Sequence, residues 1–406
     1  MASPVRREGK QLLYSRSSDK HDLVSLPLIQ SQRRKEYCHI RHFEKEGVGI
    51  VQYYDEDGIP THSLLCKWIK GKICGKAYLF DMVEGKFSSV LTFADDKLME
   101  EEPFSWGDLS MGIIDEFDGS RWEGMCLQGR AHGQGMFYDE RNINIYSGYC
   151  MNGKKAGLGI SYYNFPNRSA VPKEIACWCH DQTYGLITLF DRRGDYLDTL
   201  ISVAGVTVGE TINCVPGESL VFYPFVKKIV IADHCGQDET SVFDLSNCPD
   251  LVSLTIGDHC FSLVSGCSFR HLPHLQEVII GKDCFTFCNR STHIPWETGC
   301  QQRIKKSRLS FELCHCPSLE VFECMEGSFS SYTRCTIEDL PRLRCLHLGA
   351  IAEENEEYEQ GSWCFYWNAS LVLKDLPCLE ETVFGNFSFY FCNSVIVDRM
   401  SEWERK

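Results

Sequence analysis

A chain of 406 residues, 43% of them apolar, with a formal net charge of −15, has material for two or three domains and a sizeable core. No apolar run approaches the ~18 residues a membrane-spanning helix needs, and the stretch MASPVRREGKQLLYSRSSDKHD holds no apolar signal core, so a bilayer span and secretion are both disfavoured. The net charge is +5 over residues 1–35, −10 over 36–223 and −10 over 224–406, which argues against nucleic acid or anionic lipid as the main ligand of either acidic body.

In chain order, residues 1–35 are basic and poor in apolar side chains, and a disordered tail is expected there. The next region repeats. RWEGMCLQGRAHGQGMFYD (121–139) and IYSGYCMNGKKAGLGISYY (145–163) superpose with a shift of 24: Gly129, Gly133 and Gly135 align with Gly153, Gly157 and Gly159. Trp122-x-Gly124 aligns likewise with Tyr146-x-Gly148. A fixed period of this length marks an array of supersecondary units. Each unit reads as a β-hairpin: Asn152-Gly153 is a strong turn signal, and the glycines stand where backbones approach closely. Weaker copies lie at 36–54, 64–80 and 174–190, while residues 81–118 have room for a degenerate unit and an insertion and fit no frame. A phosphate-binding loop would need a helix after the glycines and a Gly-Lys-Ser/Thr; β-prone residues stand on both sides instead.

These residues resemble the MORN (membrane occupation and recognition nexus) repeat family, although Cys126 and Cys150 stand where that family has tryptophan. The resemblance covers 121–163 clearly and the rest of 36–200 loosely. It implies an elongated antiparallel sheet of successive hairpins serving protein interaction or scaffolding, with lipid binding as the alternative. His132 falls on one of the family's consensus positions, so an architectural role is implied for it.

Residues 201–223 are expected to form a junction and N-terminal cap. From 224 on a second period appears. CPDLVSLTIGDHCF (248–261), LPHLQEVIIGKDCF (272–285), CPSLEVFECMEGSF (316–329), LPRLRCLHLG (340–349) and LPCLEETVFGNFSF (376–389) share one frame, with YPFVKKIVIADHC (223–235) as a first copy. Prolines 224, 249, 273, 317, 341 and 377 mark the steps, and insertions are placed after Phe285 and Gly349. Leu251-x-x-Leu254-x-Ile256 and Leu343-x-x-Leu346-x-Leu348 resemble leucine-rich repeats of an irregular type. The resemblance implies a parallel-stranded solenoid whose coils keep dry only by stacking.

The 23 cysteines are read as reduced, buried thiols rather than a disulfide framework; Cys235, Cys260 and Cys284 recur at one offset and predict a packed column. CWCH (177–180), CHC (314–316) and Cys284-x-x-x-Cys288 lack the matched second pair of a structural zinc site. No thiol or imidazole, including His271 and His274, is paired by motif with a base, so no catalytic residue, cofactor or metal is assigned. The acidic insert EENEEYEQ (353–360) reads as a solvated loop. In the aromatics after it, Phe365 is expected in the core with Trp363 and Trp367 on its face and Tyr366 turned outward. Tyr358, Trp363, Tyr366 and Trp367 are the candidate partner-binding residues.

The expectation is therefore a mainly β chain: a tail (1–35), a MORN-type hairpin array (36–200), a junction (201–223) and a leucine-rich-repeat-like solenoid (224–406). Its expected role is a cytoplasmic, non-enzymatic adaptor binding other proteins, not nucleic acid. Peripheral tethering to anionic lipid, through the array or the tail, is the alternative.

Overall fold

The computed structural model describes residues 33–165, 170–237, 239, 242–287, 309–349, 362–367 and 370–400. Every regular element among them is a β-strand. Two antiparallel sheets come first in the chain and two parallel sheets follow.

The strands Arg33–Arg41, Glu44–Tyr54, Pro60–Ile69, Gly75–Asp81, Lys86–Ala94 and Lys97–Pro103 form the first sheet as a meander, with Val221–Phe222 added on the outer side of the first strand. The second sheet runs from Ser110–Asp115 through Arg121–Leu127, Arg130–Tyr138, Asn144–Met151, Lys154–Tyr163, Val171–Cys179, Gln182–Phe190 and Tyr196–Val203 to Val206–Val208, neighbour on neighbour. One elongated sheet was the expectation; the structure has two, packed face to face. Tyr37, Ile50, Leu65, Phe80 and Phe87 of the first share a core with Ala156, Cys177, Cys179, Tyr184 and Val203 of the second. The break falls at residues 104–109, within the stretch that fitted no repeat. There Phe104 stacks on Phe87 of the first sheet (centroids 5.0 Å) and Trp106 on Tyr149 of the second (5.7 Å). Tyr149 Oη also donates to the Gly85 carbonyl (2.6 Å). Aromatic pairs add about 0.5–1.5 kcal/mol each beyond area burial, so this short linker holds the two layers together. The expected tail is shorter by three residues, since Arg33, Arg34 and Lys35 pair with Tyr54, Tyr53 and Gln52; residues 1–32 lie outside the described set.

The repeated glycines line up across the second sheet. Gly112, Gly124, Gly135, Gly148, Gly159 and Ala176 are consecutive cross-strand partners. Over this smooth row lie the rings of Trp122 and Tyr146: a Cβ on Gly135 would come within 2.3 Å of the Trp122 ring, and one on Gly159 within 2.4 Å of Tyr146 Oη. Trp122 Nε1 donates to the Met125 carbonyl (3.0 Å) and Tyr146 Oη to that of Tyr149 (3.0 Å), which tilts each ring along its strand. Lys155 Nζ then sits 4.6 Å from the Tyr146 ring centre and 4.5 Å from that of Trp178. The aromatic-x-Gly repeat thus builds a second apolar cluster on the face turned away from the first sheet.

In the parallel half each turn of the chain from Lys228 on gives one strand to each of two sheets, and Thr211–Cys214 adds a first strand to one of them. Thr211–Cys214, Lys228–Ile231, Ser253–Ile256, Glu277–Ile280, Val321–Cys324, Cys345–Leu348 and Glu381–Phe384 make one; Phe243–Asp244, Gly266–Arg270, Ser310–Cys314, Arg334–Glu338, Ser370–Leu376 and Ser394–Met400 make the other. Strands stack in register, Ile256 on Ile280 and Phe322 on Leu346, so alternate residues form straight inward columns. The first rung, Thr211–Cys214, lies inside the expected junction: Ile212 and Cys214 already keep the inward alternation although the proline frame has not begun.

The corners of each turn use positive φ. Phe261, Phe285, Phe329, Phe365 and Phe389 all have φ between 50° and 58°. The left-handed region costs a non-glycine residue about 1–2 kcal/mol. Burial of a whole phenylalanine at the first four, and a stacked neighbour at all five, offset that cost here, with centroids 5.1, 4.8, 5.0 and 5.2 Å apart down the column. The residue before each phenylalanine ties its turn to the preceding one. Cys260, Cys284 and Cys364 direct Sγ to the carbonyls of Ala232, Gly257 and Met325 (3.2, 3.0 and 3.0 Å), and Ser328 Oγ takes the same place toward Gly281 (2.7 Å). The expected cysteine column is real, and hydrogen bonding is part of why it recurs.

The first hairpin seals the start of this stack. Phe43, at its tip, packs on Phe222 and Phe243 and belongs to the same core as the stacked turns. Asn247 Nδ2 donates to the Phe43 carbonyl (2.9 Å), and Ile40 and Arg41 pair with Phe222 and Val221. The cap thus comes mostly from residues 33–54, which sequence distance had hidden.

Candidate interaction surface

Of the four candidate partner-binding residues, Tyr358 lies outside the described set. The other three occupy residues 362–367, which form a turn rather than a strand, with φ of 54° at Trp363 and 50° at Phe365. Two-residue alternation therefore does not apply. Phe365 is in the core as expected, but Tyr366 is buried too, and Trp363 and Trp367 are half-buried. Burial pushes the Tyr366 phenol above its ordinary pKa, and the neighbouring Tyr390 adds to the effect.

One period further on, a second aromatic layer lies on this one. Phe387 stacks on Trp363 (4.7 Å), Tyr390 on Tyr366 (5.5 Å) and Phe391 on Trp367 (4.6 Å, planes 2° apart). Among the described residues nothing covers this layer: Tyr390 is 61% exposed, and Phe384, Phe387 and Phe391 are also open to solvent. The final strand shows the same state. Val395 and Val397 pair with Leu371 and Leu373 and occupy the same inward columns, yet Val395 is 59% exposed where Leu371 is 5%. The outer edges of Glu381–Phe384 and Ser394–Met400 pair with no strand among the described residues, leaving backbone donors and acceptors free to extend either sheet. Arg399 bridges to Asp375 (2.7 Å) and marks the polar side of this end. Sequence reading missed Phe384, Phe387, Tyr390, Phe391, Val395 and Val397; adding one period to Trp363, Tyr366 and Trp367 finds three of them.

The other motifs separate in space. Cys177 and Cys179 are buried between the antiparallel sheets, where desolvation pushes each thiol up to about 12, while His180 points to solvent at the turn. Cys314 and Cys316 are buried and His315 turns outward to Asp339 (2.6 Å). His271 stacks on His315 at 5.0 Å, and His274 is exposed. His132 is buried against the edge of Trp106 (5.2 Å), accepts the Asn152 N–H at Nδ1 (3.1 Å), and is held below the ordinary histidine pKa by desolvation. Cys288 lies outside the described residues. Among the described residues, metal-donor side chains converge in one place that no motif announced: Glu323, Cys345 and His347 on the outer face of the parallel half. No protein-family model matches this chain, and no curated protein shows significant similarity to it.

Proposed function

We propose that the chain is a non-enzymatic interaction scaffold, built from MORN-type hairpin units and leucine-rich-repeat-like solenoid coils, that seats a protein partner on the coil formed by Glu381–Phe384 and Ser394–Met400. The observation supporting this reading is the contrast between the two ends of the parallel stack. One is plugged by Phe43; the other leaves Phe384, Phe387, Tyr390, Phe391, Val395 and Val397 exposed beside strand edges that pair with no other strand among the described residues. A contiguous apolar patch of this kind, carrying aromatic anchors, is the usual makeup of an interface centre. The net −10 of residues 36–223 speaks against anionic lipid as the ligand of the hairpin region.

The test uses the full chain, because the first hairpin is part of the stack's core. A photo-crosslinking amino acid is placed at Tyr390 and, as a control, at the exposed Phe117 of the hairpin region. The proposal expects a discrete protein adduct at position 390 in the source cell, absent at 117 and abolished by Phe387→Asp. Equal adducts at both positions, or none at 390, would refute it. Co-sedimentation with anionic vesicles that persists without residues 1–35 would favour a membrane tether.

A further inference from the structure

The outer face of the first parallel sheet carries a cluster that the scaffold reading does not use. In-register stacking places Glu323 beside His347 and Cys345 beside Glu381, while the two-residue alternation along Cys345–Leu348 turns Cys345 and His347 to the same side. The resulting contacts are short. Cys345 Sγ lies 3.2 Å from His347 Nε2, and Glu381 Oε1 lies 3.1 Å from the same nitrogen. Glu323 Oε1 lies 3.3 Å from His347 Nδ1 and 3.8 Å from Cys345 Sγ. A thiol, an imidazole nitrogen and a carboxylate oxygen on one small cation stand about 3.3–3.6 Å apart when metal–ligand lengths are about 2.0–2.3 Å. The Sγ–Nε2 and Nε2–Oε1 separations already lie close to this, and binding needs the exposed Glu381 carboxylate to turn toward Cys345 Sγ.

We propose that Cys345 Sγ, His347 Nε2 and a Glu381 carboxylate oxygen bind a Zn²⁺-like divalent cation on the outer face of the parallel stack, with Glu323 as the positioning residue behind the imidazole. Each part has a chemical reason. Sulfur, imidazole and carboxylate together suit a borderline cation such as Zn²⁺ better than Mg²⁺ or Ca²⁺, which prefer all-oxygen sets. With a cation on Nε2, Glu323 is placed to accept the Nδ1 proton (3.3 Å), which fixes the tautomer a ligand needs. Access is open: Glu320, Val321, Arg344, Cys345, Glu380 and Glu381 line a shallow depression of about 490 Å³. Three of these are carboxylates, Glu320, Glu380 and Glu381, and Arg344 is occupied by Glu380 (2.9 Å), so the local field favours a cation. On binding, the Cys345 thiol gives its proton to solvent and its sulfur forms the bond to the metal; no electron transfer is involved.

The position suggests what the cation does. Its ligands come from two strands separated in sequence by the insertion after Gly349, and the orienting carboxylate comes from the strand before them. A bound cation would staple the interrupted turn to both neighbours.

The experiment uses the full chain with Cys74, Cys288, Cys300, Cys378 and Cys392 changed to serine, which removes the other exposed, half-buried or undescribed thiols. It is titrated with Co²⁺ and then Zn²⁺. One equivalent of Co²⁺ should give the intense visible bands of a low-symmetry, four-coordinate ion with thiolate-to-metal charge transfer in the near ultraviolet, and Zn²⁺ should erase both. Cys345→Ser should remove the charge-transfer band, and His347→Ala should weaken binding at least tenfold. Glu323→Gln should weaken it by about 10–100-fold while keeping the spectrum, as expected of an outer partner. All three side chains face outward, so circular dichroism in chelator should match the parent. As a measurement independent of variants, Zn²⁺ should raise the melting temperature of the parent chain and chelator should reverse the rise. An octahedral Co²⁺ spectrum without charge transfer, an unchanged spectrum in Cys345→Ser, or no Zn²⁺-dependent melting shift would overturn the proposal.

Discussion

The ring of Phe43 stands 4.8 Å from that of Phe243, joining the first hairpin of the chain to the second parallel sheet. Phe43 is thereby the lid of a core it does not belong to by sequence. Phe43→Ala should lower the unfolding free energy by about 3 kcal/mol, the lower part of the range for a buried phenylalanine. Urea denaturation followed by fluorescence measures this. A fragment beginning at residue 206 should be less stable still, and adding a peptide spanning 33–54 should restore part of the loss. A change under about 1 kcal/mol for Phe43→Ala would show that the hairpin does not cap the stack.

Gly159 tests the account of the glycine row. The nearest atoms to a Cβ at this position all belong to the Tyr146 ring, at 2.4–2.7 Å. Gly159→Ala should cost about 1–3 kcal/mol through overpacking. In a Tyr146→Val background the same change should cost much less, giving a coupling of at least about 1 kcal/mol in a double-mutant cycle. Additive effects would mean the ring does not need the glycine.

The ladder along the column of phenylalanines predicts a ranking. Cys284→Ser retains a donor to the Gly257 carbonyl, as Ser328 does naturally toward Gly281. Cys284→Val leaves that carbonyl without its partner and should cost about 1–3 kcal/mol. Thermal melts of the two variants should place serine above valine; the opposite order would reduce the column to simple hydrophobic packing.

Acid should weaken the fold through three imidazoles. Desolvation is the main cause that holds His39, His62 and His132 below the ordinary 6.5. Above 6.5 these groups are neutral in both states and contribute no slope. As pH falls below 6.5 the unfolded chain takes up protons first, so stability declines across the window between 6.5 and the lower folded values. Urea midpoints measured from about pH 7.5 down to about pH 5.5 should fall for the parent chain and fall less for His39→Gln/His62→Gln/His132→Gln. Equal slopes would assign the acid sensitivity elsewhere.

Much of the repeat architecture could be read from the residues. The proline-marked frame placed Leu254, Ile256, Val278 and Ile280 in inward columns, because a strictly periodic sequence in parallel register must put equivalent residues on top of one another. Three features could not be read. The fold-back at residues 104–109 depends on Phe104 and Trp106, which belong to no repeat and acquire meaning only once two sheets face each other. Tyr366 was placed outward by strand alternation, but φ of 54° and 50° at Trp363 and Phe365 makes the segment a corner. The convergence of Glu323, Cys345, His347 and Glu381 needs the register between neighbouring turns, which an insertion between Leu348 and Glu381 obscures.

The seat of Phe43 also sets an order of events during synthesis. The hairpin tip leaves the ribosome before Phe222 and Phe243, the residues it packs on, which follow only after the whole second antiparallel sheet has emerged. Contacts between such distant positions are slow to close, and until they do an aromatic side chain stands in water. Nascent chains stalled short of residue 243 should therefore expose Phe43 to chaperones, and release of that hold would report the moment the stack is sealed.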